Sequence, residues 1–135
     1  MRRIAVTLLL ALSSLAFAPA PFQRPKRQPK ADVPAMVGLW RRQGGGGTVR
    51  ITLTTWTNNP ERGGPPDFDL TIDPRASPAA FDMSEHRATG LYLRGIYKVE
   101  GDTLTICYNQ AVQGRPAAFD GPGKGWGTEV FTRVR

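Results

Sequence analysis

The chain has 135 residues, a formal charge of +7 and a single cysteine. That length suits one domain and is too short for two, and the lone Cys107 excludes an intrachain disulfide framework, so the domain must stand on its apolar core. The basic balance invites a nucleic-acid reading, but its distribution argues against one: without Arg2 and Arg3 the charge of +7 becomes +5, and Arg24, Lys26, Arg27 and Lys30 against Asp32 hold +3 of that, leaving +2 from residue 35 onward.

Met1, Arg2 and Arg3 form a positive start, residues 4–12 are apolar apart from Thr7, and the stretch from Ser13 turns small and weakly polar. This three-part pattern predicts a secretory signal over residues 1–18, with the small residues Ala16 and Ala18 before the cut. The apolar run falls short of the roughly 20 residues that span a bilayer. Residues 19–34 carry prolines at 19, 21, 25, 29 and 34 among the basic side chains, which predicts an extended, semi-rigid arm whose contact with anionic surfaces is at most peripheral. The mature chain is thus expected to be exported, to the periplasm or beyond.

Residues 35–135 read as one domain in which the period is two and the helical period is nearly absent. A first strand is expected around 36–43, followed by a four-glycine loop at 44–47. Residues 48–56 alternate, with Val49, Ile51 and Leu53 on one face and Arg50, Thr52 and Thr54 on the other, which predicts a half-buried strand. Residues 67–73 repeat the pattern with Phe68, Leu70 and Ile72 inward. Leu91, Leu93, Tyr97 and Val99 share a face, as do Leu104, Ile106 and Tyr108, and Glu100-Gly101-Asp102 between them predicts a β-hairpin over 91–109. The last strand, 126–134, is read with Thr128, Val130, Thr132 and Val134 on one side and Phe131 on the other. Long Gly- and Pro-rich loops are expected at 58–66 and 114–125.

The chemistry-bearing residues do not converge in the sequence. Asp67, Asp69 and Asp73 have the parity opposite Phe68, Leu70 and Ile72 and belong to a solvent face; His86, the only histidine, is expected as an exposed loop residue; Cys107 has no basic partner nearby. No cofactor, metal or catalytic set is therefore expected. Trp56, Tyr92 and Trp126 are the aromatic candidates for lining a ligand pocket.

The string from Gly95 through Tyr97, Gly101, Asp102 and Cys107 to Tyr108, with Arg115-Pro116 and Phe119 behind it, resembles the signature of an uncharacterised domain family abundant in planctomycete bacteria. Gly38-Leu39-Trp40, Asp73-Pro74, Phe81-Asp82 and the closing 130–133 agree with it, so the resemblance covers nearly all of 37–135; the longer 56–66 loop and the lysine-poor middle depart from it. Such domains are similar to small lipocalin-type barrels, in which an arginine near the last strand packs on the tryptophan of an opening Gly-x-Trp. That resemblance implies such roles for Gly38, Trp40 and Arg133 and an antiparallel barrel of about seven or eight strands, the alternative being an open sheet or a β-sandwich. The function expected is a non-catalytic envelope module for a small apolar or amphipathic ligand; the alternative is a structural module that contacts another envelope protein.

Overall fold

The computed structural model describes residues 33–119 and 126–135, the side chain of Trp126 excepted. The expected signal at 1–18 and nearly all of the arm at 19–34 lie outside the described residues. Eight strands make up the fold: β1 (Gly38–Arg42), β2 (Thr48–Ile51), β3 (Thr55–Asn58), β4 (Phe68–Asp73), β5 (Ala80–Glu85), β6 (Leu93–Glu100), β7 (Thr103–Gln110) and β8 (Trp126–Arg133). Each pairs antiparallel with the next, and β8 returns to β1 through Trp40↔Arg133, Arg41↔Thr132 and Arg42↔Phe131. The sheet therefore closes into an up-and-down barrel. Closure pairs every strand on both sides, which removes the free edges that make isolated sheets prone to association.

Register decides what faces the lumen. Trp40, Val49, Ile51, Trp56, Leu70, Phe81, Met83, Tyr97, Leu104, Ile106 and Phe131 are buried in one cluster. The β6–β7 hairpin is the most regular part, with eight pairs from Leu93↔Gln110 to Glu100↔Thr103, and Gly101 turns it at φ 60. Gly95 is required by close approach: a Cβ there would stand 2.3 Å from the Phe81 ring on the paired strand.

Four expectations change. The single strand expected over 48–56 is two strands with a turn between them, because the Thr52 hydroxyl accepts from the backbone N–H groups of Thr54 and Thr55 at 3.3 and 3.0 Å and so offers the chain an alternative to the ladder. Leu53 consequently points out, 57% exposed. β5 was not expected as a strand at all. Leu91 lies outside β6 and is exposed, the strand beginning at Leu93. On β8 it is Phe131 that is fully buried, while Val130 and Thr132 share the outer face; the pairing Leu104↔Phe131 sets that parity.

Candidate functional site

In an up-and-down barrel alternate connections fall at opposite ends. The short links at 52–54 and 101–102, the 74–79 loop and both termini of the described domain share one end; the 43–47, 59–67 and 86–92 connections, the end of β7 and the start of β8 share the other.

The first end is plugged. Trp40 is fully buried, its indole N–H donates to the Met36 carbonyl at 2.9 Å, and the Arg133 guanidinium lies 4.1 Å from its ring centroid. Arg133 also donates to the carbonyls of Ala35 and Val37 at 3.1 and 3.4 Å, so the segment entering β1 is tied beneath the barrel floor. Gly38 is needed here: at φ 152 a Cβ would come within 2.7 Å of Arg133. A cation held over an indole contributes about 0.5–2 kcal/mol, more as water is excluded. Gly38, Trp40 and Arg133 thus meet in one cluster.

The second end is hollow. A cavity of about 280 Å³ enters the lumen there, its apolar walls formed by Trp56, Phe68, Phe81, Met83, Leu93 and Ile106. Tyr92 stacks nearly parallel on Phe68 at its rim, centroids 5.8 Å apart. One wall is polar and belongs to Arg42, Asn58, Tyr108 and Glu129. Arg42 Nε faces Glu129 at 3.5 Å, Nη1 donates to the Gly46 carbonyl at 3.1 Å and Nη2 to Asn58 Oδ1 at 2.9 Å. The same Asn58 oxygen accepts from the Trp56 indole N–H at 3.1 Å. Of the three aromatics expected to line a pocket, Trp56 and Tyr92 are here; the side chain of Trp126 lies outside the described residues. Arg42, Asn58 and Glu129 were not singled out from the sequence, because nothing local marks a polar residue at an inward position; only its parity with Trp40, Trp56 and Phe131 does.

Tyr97 is buried in the lumen, and desolvation followed by the Asp73 charge raises its phenol above the ordinary value of 10.0. Desolvation and the nearby Glu129 raise Tyr108 likewise. A raised phenol keeps its proton in the folded chain after the unfolded chain has lost it. The stability contributed by these two residues is therefore complete below about pH 10 and is lost as pH rises through their folded values. Thermal melts across that alkaline range are expected to show a falling midpoint, with a shallower fall for a Tyr97→Phe/Tyr108→Phe variant.

The other sequence candidates are occupied structurally. Asp67 accepts from the Asn58 backbone N–H at 2.6 Å, and Asp73 caps the turn at Arg75 and Ala76. Asp69 accepts from the Arg87 N–H at 3.0 Å and pairs with His86 Nδ1 at 2.7 Å, contacts that hold its carboxyl below the usual range, the Arg87 bond foremost. His86 is accordingly half-buried in a pair, not the exposed loop residue its polar surroundings suggest. Asp102 accepts from the Arg135 side chain, and its carbonyl from the Arg133 N–H at 2.8 Å, fastening the β6–β7 turn to the C-terminus.

Outside the barrel the 114–119 segment lies as a strap along β6. Arg115 Nη1 donates to the carbonyls of Phe81 and Gly95 at 2.9 and 2.8 Å, and Nη2 to Asp82 at 2.7 Å. Pro116 is fully buried, and Lys98 sits 5.1 Å over the Phe119 ring. Ile96, which borders the strap, is buried on the outer face, as is Cys107, its paired residue on β7. A cleft of about 520 Å³ opens between the strap, Thr71, Asp73 and Pro78. It lies on the outer face, and the Arg115 that borders it is committed to carbonyls and a carboxylate.

The fold and the cavity define a closed eight-stranded antiparallel β-barrel, plugged at one end and hollow at the other. Comparison of the chain with protein-family models, curated proteins and solved structures finds no match.

Proposed function

We propose that this chain is an exported, non-catalytic binding module whose barrel holds a small apolar or amphipathic ligand in the cell envelope. The observation that carries the reading is the lumen itself: Trp40 under the Arg133 guanidinium closes one end, and about 280 Å³ is left open at the other between Trp56, Phe68 and Phe81. Ligand sites of small barrels have this form, an apolar bowl with a few placed polar groups. The N-terminal pattern supports export, and the resemblance to secreted planctomycete-type domains agrees with it. Among the described residues no helix is long and apolar enough to cross a membrane.

The test is native mass spectrometry of the protein purified from its own envelope, alongside a Leu93→Trp variant. Leu93 is partly buried and borders the cavity, so the larger ring enters open space, where overpacking costs less than the usual 1–3 kcal/mol or so of a filled core. The expected result is an added mass on the native chain that disappears on denaturation and is missing from the variant, with the variant's melting temperature changed by only a few degrees. An adduct retained by Leu93→Trp would move the site out of the lumen.

One observation favours the second reading, a protein-interaction module. Leu91, Tyr92 and Val112 are exposed at 44%, 49% and 91%, and the Ala111 N–H donates to the Tyr92 carbonyl at 3.1 Å, which gathers them into an apolar lip beside the mouth. Such a lip suits contact with another envelope component.

A further inference from the structure

Given the lumen reading above, the ligand's class follows from how the polar wall is already committed. Among the described residues lining the cavity Arg42 is the one cation and Glu129 the one carboxylate, and they face each other at 3.5 Å. The remaining donor nitrogens of Arg42 are held by the Gly46 carbonyl and Asn58. An entering anion would meet an opposed carboxylate and a guanidinium with three of its five N–H groups in use. An entering cation would have to draw Glu129 away from Arg42. With the two side chains 23% and 34% exposed, either separation gives up a partly screened attraction, a modest cost that adds to that of taking the ligand's own charge out of water.

What the wall does offer is neutral donors. Asn58 Oδ1 accepts from two groups that can only donate, the Arg42 guanidinium and the Trp56 indole. That fixes the orientation of the amide and turns its nitrogen, with two N–H groups, to the opposite side. Among the described residues nothing accepts from that nitrogen, and Asn58 borders the cavity. The Tyr108 hydroxyl lies on the same wall, but its one proton is turned to the Glu129 carboxylate, which leaves the Asn58 amide as the donor for a ligand.

The rest of the site sets size and shape. Trp56, Phe68 and Phe81 provide ring faces and edges, and Met83, Leu93 and Ile106 complete the bowl. An apolar cavity of about 150 Å³ admits benzene, so one of about 280 Å³ takes a body of about two fused rings. We infer that the lumen selects an uncharged, flat ligand of that size carrying one hydrogen-bond acceptor such as a ketone, ester or amide oxygen, and discriminates against the carboxylate of the same shape.

Equilibrium dialysis of the full chain at neutral pH against three probes tests this: methyl 2-naphthyl ketone, 2-ethylnaphthalene, which has the shape without the acceptor, and 2-naphthoate, which has the shape with a charge. The ketone is expected to bind about tenfold tighter than the hydrocarbon, the value of one net hydrogen bond, and at least about tenfold tighter than the carboxylate. Glu129→Gln leaves Arg42 uncompensated and should raise the affinity for naphthoate, relative to that for the ketone, about tenfold or more. Naphthoate binding as tightly as the ketone would overturn the ligand class and leave the lumen reading standing, and a hydrocarbon matching the ketone would remove the acceptor. If none of the three binds, the lumen reading itself fails. The unsubstituted chain decides all three outcomes even if Glu129→Gln does not fold.

Discussion

Replacing Trp40 by alanine is expected to lower the unfolding free energy by about 3–5 kcal/mol, the range for truncating a large buried aromatic. Trp40 has no exposed surface, and its strand is paired with β2 at Val49 and with β8 at Arg133, so the same side chain stands at the seam where the barrel closes. Truncation leaves three defects together: a void at the plugged end, a Met36 carbonyl without its indole donor, and an Arg133 guanidinium without the ring beneath it. Against a typical domain stability of about 5–15 kcal/mol, such a loss removes a large fraction of the total. Urea unfolding is the measurement, with Trp40→Phe as control: a smaller ring stays beneath Arg133, the N–H bond and part of the filled volume are lost, and a cost of about 1–3 kcal/mol, below that of alanine, is expected. An unchanged alanine transition would show that the plug does not hold the barrel shut.

The second large effect concerns the strap. Arg115→Ala removes a guanidinium that joins two carbonyls and the Asp82 carboxylate, one of the carbonyls on β5 and the other on β6. Hydrogen bonds to charged groups are worth about 1.5–3 kcal/mol, and with both side chains about a third exposed the net loss should fall at the low end of that range. About 1.4 kcal/mol is a tenfold change in an opening equilibrium. Cys107 is fully buried on that outer face, so its reaction with a thiol reagent in the native protein reports the opening. Labelling is expected to accelerate about tenfold in Arg115→Ala, and to be only partly restored in Arg115→Lys, whose single ammonium lacks the fork that reaches several acceptors. Equal labelling rates in all three proteins would mean that the strap is held by Pro116 packing and not by the arginine.

Where the sequence reading worked and where it failed follows one physical line. The β6–β7 hairpin was legible because its two alternating runs and its Gly-containing turn agree at every level, from local turn chemistry to core parity. The expected 48–56 strand misled because its alternation continues across the bend; the break depends on the Thr52 hydroxyl bonding to the backbone, and such bonding is open to any threonine. β5 escaped notice for the opposite reason: Ala80, Phe81 and Met83 are all buried, the outer face at Ala80 being covered as well, so the clean alternation is blurred.

By itself the sequence determined that residues 35–135 carry the alternating strands and turns of an all-β domain. Those features are local or periodic, and side chains alternating at period two write them directly into the chain. Closure was decided only in the tertiary structure, because it needs β8 to meet β1 across some ninety residues, at Trp40↔Arg133. The cavity was decided there too. Whether a small barrel is solid or hollow depends on how inward side chains from eight strands sum at each level of the lumen, and whether a polar wall is charged or neutral depends on which partners, such as Arg42 and Glu129, the closure brings face to face.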